Sequence, residues 1–235
     1  RGPAGSGSGP PNKKYNKVLT IVFIIVVAII FVLLGFWGYD TYRKYYQRHE
    51  IDQALNEFNN QVIQNNTNTA RNEFTGSNAI EFNVVGGNVV SNTGGSSNNN
   101  KVVTYKGFTV MGTIEIPAID LEYPILERAT KSSLEASIGI LTGPGLNQIG
   151  NTVIVGHNYR NGTFFSRNEE LKNGDLVYIT DSTGNRVKYT IYNIYQTSSD
   201  DADYMTRDTA GKREISLSTC TDDTSYRLII WAKED

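Results

Sequence analysis

ISLSTCTDDTSYRLIIW, Ile215 to Trp231, holds the only cysteine in 235 residues. Apolar and small polar residues alternate as far as Cys220. A polar stretch follows, and a second β-rich run opens at Arg227. Alternation over short runs of this composition marks two strands joined by a turn. A thiol therefore ends one strand and a guanidinium opens the next. Either Cys220 is a small buried filler or it is a nucleophile, and a nucleophile needs partners from elsewhere in the chain.

Working outward, the same signal recurs upstream. Strands are expected over Thr109–Ile116, Leu121–Ile125, Thr152–Gly156, Leu176–Thr180, Arg186–Gln196, Glu214–Thr219 and Arg227–Ala232. Each is rich in Val, Ile, Tyr or Thr and is bounded by turn residues. DSTGNR between two of them reads as a hairpin turn, with Gly184 and Asn185 placed for positive φ. KSSLEASIGI and SRNEELKNG are the helix-like pieces, and both are short. Many closely spaced strands with few helices point to an all-β domain over 101–235, an antiparallel barrel or sandwich.

Ahead of that domain the composition shifts twice. RGPAGSGSG reads as a cloning remnant, and residues 1–17 end in a short basic tail expected to be cytoplasmic. Val18–Gly38 carries no charge and, at about 20 residues, suits a transmembrane helix. Trp37, Tyr39 and Tyr42 follow it as an interfacial belt. Lys13, Lys14 and Lys17 stand before the span, while Arg43, Lys44 and Arg48 after it are diluted by Asp40. The balance leans to a cytoplasmic N-terminus and an extracellular C-terminal domain. Residues 39–62 carry an apolar stripe (Tyr42, Tyr45, Tyr46, Ile51, Leu55, Phe58, Val62) at helical spacing, a juxtamembrane helix. Residues 63–100, dominated by Asn, Gly, Ser and Thr, are expected to be a flexible linker, with IEFNVV a stray strand at most.

Several functions are excluded early. Twenty-two basic against 24 acidic residues give a net charge of −2, so no basic field exists for nucleic acid. One cysteine and two histidines, His49 and His157, make neither an internal disulfide nor a zinc site, and no cofactor or metal is expected. GLNQIGNT, Gly145 to Thr152, has the glycine spacing of a phosphate-binding loop. It places Asn151 where the lysine belongs and leads into a strand rather than a helix, so its glycines shape a turn. The acidic run Asp200, Asp201 and Asp203 invites a calcium reading, but solvated loop charge is the simpler one.

What remains is His157, delivered by TVIVGHN where another strand leaves the sheet. Three strand ends thus offer thiol, imidazole and guanidinium. A thiolate is a strong nucleophile once a neighbouring cation favours it. Histidine can protonate a leaving amine, and arginine can stabilise the oxyanion of a tetrahedral intermediate. Taken singly, each also has a plain structural reading: a buried cysteine, a hydrogen-bonded histidine, an arginine paired with Asp222 or Asp223. Spacing alone does not choose between them.

The stretches GTIEIPAIDLEYPIL, NTVIVGHN, LKNGDLVYI, ISLSTC and YRLIIWA resemble, in order, the sortases, membrane-anchored cysteine transpeptidases of Gram-positive bacteria. LSTC fits the family's nucleophile motif, with Ser216 where its first threonine stands. The resemblance implies a closed eight-stranded β-barrel, with Cys220 as nucleophile, His157 as general acid and base, and Arg227 holding the substrate carbonyl. Asn158, Ser218 and Thr219 beside them are expected to meet substrate. The implied partners are exported proteins bearing a C-terminal sorting motif and an amine acceptor from the cell wall or a pilin subunit. GHNYRNGTFF and Asp222 resemble class B members, although TSSDDADYMTRDTAGKR leaves no room for that class's long helix. The competing readings are a cysteine peptidase with water as acceptor and a non-catalytic surface module.

Overall fold

The computed structural model describes residues 13–75 and 102–235. They form a helix, α1 (Lys13–Thr75), and then β1 (Thr104–Tyr105), β2 (Phe108–Ile116) and β3 (Leu121–Leu126). A short helix, α2 (Lys131–Ala136), precedes β4 (Ile138–Thr142) and β5 (Gly150–Val155). The chain finishes with β6 (Leu176–Asp181), β7 (Arg186–Ser198), β8 (Arg213–Cys220) and β9 (Tyr226–Glu234). All seven expected strands are present within two residues at each end. The eighth barrel strand, β4, lies in the second half of KSSLEASIGI, where a helix was expected throughout. The helix stops at Ala136 after a capping box in which Thr130 and Ser133 satisfy each other's backbone N–H groups. In SRNEELKNG only a single 3-10 turn forms, over Asn168–Glu170.

The strands run in the order β1-β2-β3-β4-β5-β8-β9-β7-β6, and β6 pairs back onto β2. That last pairing closes eight strands into a barrel and leaves no open edge among them. Two contacts, β3–β4 and β5–β8, are parallel; the other barrel pairs are antiparallel. Inward-facing Ile114, Ile116, Ile125, Ile154, Ile179, Leu217 and Ile230 fill the interior with essentially no exposure. The β6–β7 hairpin turns as DSTGNR predicts, with Gly184 at φ +85°, but Asn185 does not take a positive φ. Asp181 Oδ1 caps that turn by accepting the N–H groups of Thr183 and Asn185. GLNQIGNT proves to be a clamp on this hairpin. Asn147, at φ +58°, donates its amide to the Ile179 and Asn185 carbonyls, and Tyr189 donates to its Oδ1 at 3.0 Å.

Two compact units divide the chain, one reaching Glu50 and one spanning Ile51–Asp235. In the first, the apolar run includes an 18-residue helical window with a mean hydropathy of 3.4, none of it buried. It is long and apolar enough to cross a membrane. In the second unit Ile51, Ala54, Leu55 and Phe58 are buried against Val103, Tyr105, Val110, Leu126 and Ala136. Their i, i+3, i+4, i+7 spacing puts all four on one helix face. Helix α1 also continues to Thr75, past the Val62 limit expected of it, so the start of the expected linker is helical. The rest of that linker, IEFNVV included, lies outside the described residues. Phe58 is 2% exposed, so Phe58→Ala should cost about 3 kcal/mol or more in denaturant unfolding of the full chain in detergent.

Candidate active site

The parallel pairing of β5 with β8 sets Val153 beside Ser216, Ile154 beside Leu217 and Val155 beside Ser218. The register runs one step further. Gly156 N–H donates to the Ser218 carbonyl, and Thr219 Oγ1 donates to the Gly156 carbonyl at 2.8 Å. His157 therefore falls beside Cys220. On the other side of β8, Cys220 pairs directly with Arg227 of β9. Neighbouring strands lie about 4.8 Å apart, so the three residues form one row across adjacent strands.

Strand parity fixes the face on which that row stands. Ile154, Leu217, Leu228 and Ile230 belong to the interior cluster. Val153 and Ile229 belong to a separate outer cluster with Tyr204, flanked by Val155, Tyr195 and Trp231. Side chains alternate along a strand, so His157, Cys220 and Arg227 all take the outer face. All three are partly exposed. Gly156 occupies the last inward position before His157, where an added Cβ would sit 2.7 Å from Ile138 Cγ2 and 3.0 Å from Phe165. That close approach explains the Gly-His step in the sequence.

The polar atoms of the row are available for chemistry. No hydrogen bond joins Sγ to the imidazole, and the imidazole has no hydrogen-bond partner among the described residues. Its ring instead lies against Tyr159, with centroids 4.8 Å apart. Partial burial, followed by the Glu135 carboxylate, pushes the Tyr159 phenol above its ordinary value, so it remains a neutral platform. Arg227 Nη1 donates to the Thr224 and Tyr226 carbonyls at 2.9 and 3.1 Å. That anchors the guanidinium by one edge and leaves Nη2 and Nε for a ligand.

The three other expected site residues take different places. Ser218 is 3% exposed beneath the Tyr204 hydroxyl, and Thr219 turns its own hydroxyl to the Gly156 carbonyl. The Thr219 hydroxyl thus helps align β5 with β8, while the Ser218 hydroxyl faces the segment that carries Tyr204. Asn158 donates from Nδ2 to the Cys220 carbonyl at 3.1 Å and accepts the Arg160 N–H on Oδ1 at 3.0 Å. It ties the histidine loop to the end of the cysteine strand. Arg160 adds an ion pair to Asp222 at 2.7 Å, a contact between separate loops that no local signal in the sequence announces. Asn158, Cys220 and Asp222, with Phe165, Glu169 and Tyr226, line a cleft of about 390 Å³. Among the described residues no group of three acidic, histidine or cysteine side chains could hold a metal. Asp201 of the acidic run accepts from Thr197 Oγ1 and from the Asp203 N–H.

A family model, the sortase domain, matches residues 114–235. The chain belongs to the sortase family. Sortase A of Bacillus anthracis is 31% identical over 124 residues, 52% of this chain and 58% of that protein. Sortase A of Streptococcus agalactiae serotype III (strain NEM316) is 28% identical over 131 residues, 53% of this chain and 52% of that protein. The sortase chain thus spans little more than half the length of these curated relatives. Among solved structures, Sortase A from Corynebacterium diphtheriae aligns with a TM-score of 0.50 at 32% identity, covering 55% of this chain and 61% of that one. Its lid mutant gives the same score and identity over 54% and 70%. These relatives carry the name Sortase A, so the class B leaning of the histidine loop gains no support from them and the subclass stays open.

The packing around Gly156 generates a test. Gly156→Ala should force Phe165 or the strand end to move, lowering stability by about 1–3 kcal/mol. Thermal unfolding and the rate of Cys220 alkylation should both change, because the displaced segment carries His157.

Proposed function

We propose that this sortase is a membrane-anchored cysteine transpeptidase acting on a sorting motif near the C-terminus of exported proteins. The observation that supports this best is the single outer row of His157, Cys220 and Arg227 on adjacent strands. Cys220 Sγ, as thiolate, attacks the backbone carbonyl of the motif. The carbonyl oxygen becomes an oxyanion that faces the unengaged edge of Arg227. His157 gives a proton to the departing amine, the C–N bond breaks, and a thioester remains on Cys220. A second amine, from a cell-wall peptide or a pilin lysine, attacks the thioester and loses its proton to His157. The new amide forms as Sγ departs.

Val18–Gly38 anchors the enzyme with its N-terminus in the cytoplasm and the barrel outside. There it meets exported chains and the cell-wall amine. His157 resting on Tyr159 rather than bonded to Sγ suits this cycle, since the imidazole must face first the leaving amine and then the incoming one.

The test is turnover of sorting-motif peptides by the full chain in detergent, with and without an added amine. Amine-dependent product is expected; product unchanged by amine would assign water as acceptor and make the protein a peptidase. Cys220→Ala should leave no thioester detectable by mass spectrometry. His157→Ala should lower kcat by about 100-fold or more. Arg227→Lys should lower it by about 100-fold, because an ammonium lacks the guanidinium's forked donors. Near wild-type turnover in Arg227→Lys would remove the oxyanion role.

A further inference from the structure

Below the reactive row, the outer face carries two more rows. Val155, Ser218, Ile229 and Tyr195 stand abreast, and beneath them Val153, Ser216, Trp231 and Asn193. The segment 199–212, which joins β7 to β8, lies over these rows. Tyr204 packs on Val153 and Ile229, with its phenol 3.4 Å from Ser218 Oγ. Tyr204 thus covers the row next to the one that holds Cys220.

Arg207 holds the segment down. Its Nη1 donates to the Glu214 carboxylate and, at 2.8 Å, to the Tyr192 hydroxyl, while Nη2 donates to Asn151 Oδ1 at 3.2 Å. The guanidinium stands 4.5 Å from the Trp231 ring centroid. Tyr192 donates in turn to Glu214 at 2.7 Å. Burial, then the bond to Glu214, pushes the Tyr192 phenol up to about 12, so it remains a donor at neutral pH. Asn151 completes the connection: its amide donates to the Tyr204 and Met205 carbonyls, and its Oδ1 accepts Ser216 Oγ. The Arg207 and Glu214 side chains are only 12% and 9% exposed.

We infer that Arg207, paired with Glu214, is a positioning residue for the acyl-donor peptide. It fixes Tyr204–Met205 as one wall of the groove that leads to Cys220. This rests on the transpeptidase reading for the identity of the peptide.

Removing one charge alone leaves its partner buried and unpaired, which destabilises any protein. The informative variant is therefore Arg207→Met with Glu214→Gln, which removes both charges at similar volume. Its melting temperature should stay near wild type. Amide exchange over 199–212 should rise about tenfold, and KM for the sorting peptide should rise about tenfold with kcat held. Arg207→Lys, which keeps the ion pair and loses the reach to Asn151, should lie between the two. A rise in exchange with KM unchanged overturns the wall; unchanged exchange overturns the pin. If the double variant fails to fold, Arg207→Lys decides, and an unchanged KM there overturns the inference. If the wild-type chain turns over no peptide, the transpeptidase reading falls, while the exchange comparison still decides whether Arg207 holds the segment.

Discussion

The parallel contact between β5 and β8 is the constraint on which the site depends. Residues 157 and 220 are far apart in sequence, and only the register of that contact makes them neighbours. A slip of one residue would move His157 to the opposite face from Cys220, because side chains alternate. The register is accordingly secured from several directions. Thr219 Oγ1 reaches the Gly156 carbonyl, Asn158 reaches the Cys220 carbonyl, and Ser216 reaches Asn151 Oδ1. Each bond is modest alone. Together they reject the neighbouring registers, which leave buried hydroxyls and amides without partners.

The same strand shows why small polar residues precede Cys220. Both faces of β8 are covered, the inner by the barrel core and the outer by segment 199–212. Leu217 and Ile215 serve the inside. Ser216 and Ser218, each almost fully buried, leave room outside for Tyr204; Ser218 meets the Tyr204 phenol, and Ser216 donates to Asn151 Oδ1 on β5. A strand with large apolar residues on both faces could not seat that segment so close to the row of His157, Cys220 and Arg227. The serine at 216, where the family motif has threonine, keeps the hydroxyl that Asn151 requires.

Much of this was legible in the sequence, and the exceptions have physical causes. Strands with β-branched alternation stood out, whereas β4 did not. It is five residues long, contains Gly139 and follows a capped helix with a single residue between. The helical stretch 63–75 reads as linker because its Asn and Thr residues have poor helix propensity. His157, Cys220 and Arg227 stood out because each sits at a strand end beside a composition break, and only the resemblance to sortases chose a catalytic reading over a structural one. Ser218 and Thr219 read as substrate contacts by nearness to Cys220; in the fold the Ser218 hydroxyl lies beside the Tyr204 phenol and the Thr219 hydroxyl donates to the Gly156 carbonyl. Arg207 and Glu214 look in sequence like two more surface charges. Their pairing depends on a strand and a loop folding over one another, which no periodicity encodes.

The burial of that pair bears on why the segment is held by charge rather than by apolar packing. An apolar anchor on the outer face would fix Tyr204 through contact area alone, and contact area tolerates sliding. A guanidinium that must satisfy Glu214, Tyr192 and Asn151 at once has essentially one position. Replacing buried ion pairs by apolar side chains often leaves stability unchanged or improved, so stability alone does not account for such a pair. Specificity of placement does. A groove wall that must stand at one height beside Cys220 needs a directional anchor, and the Arg207–Glu214 pair supplies it from the opposite end of the strand that carries Cys220.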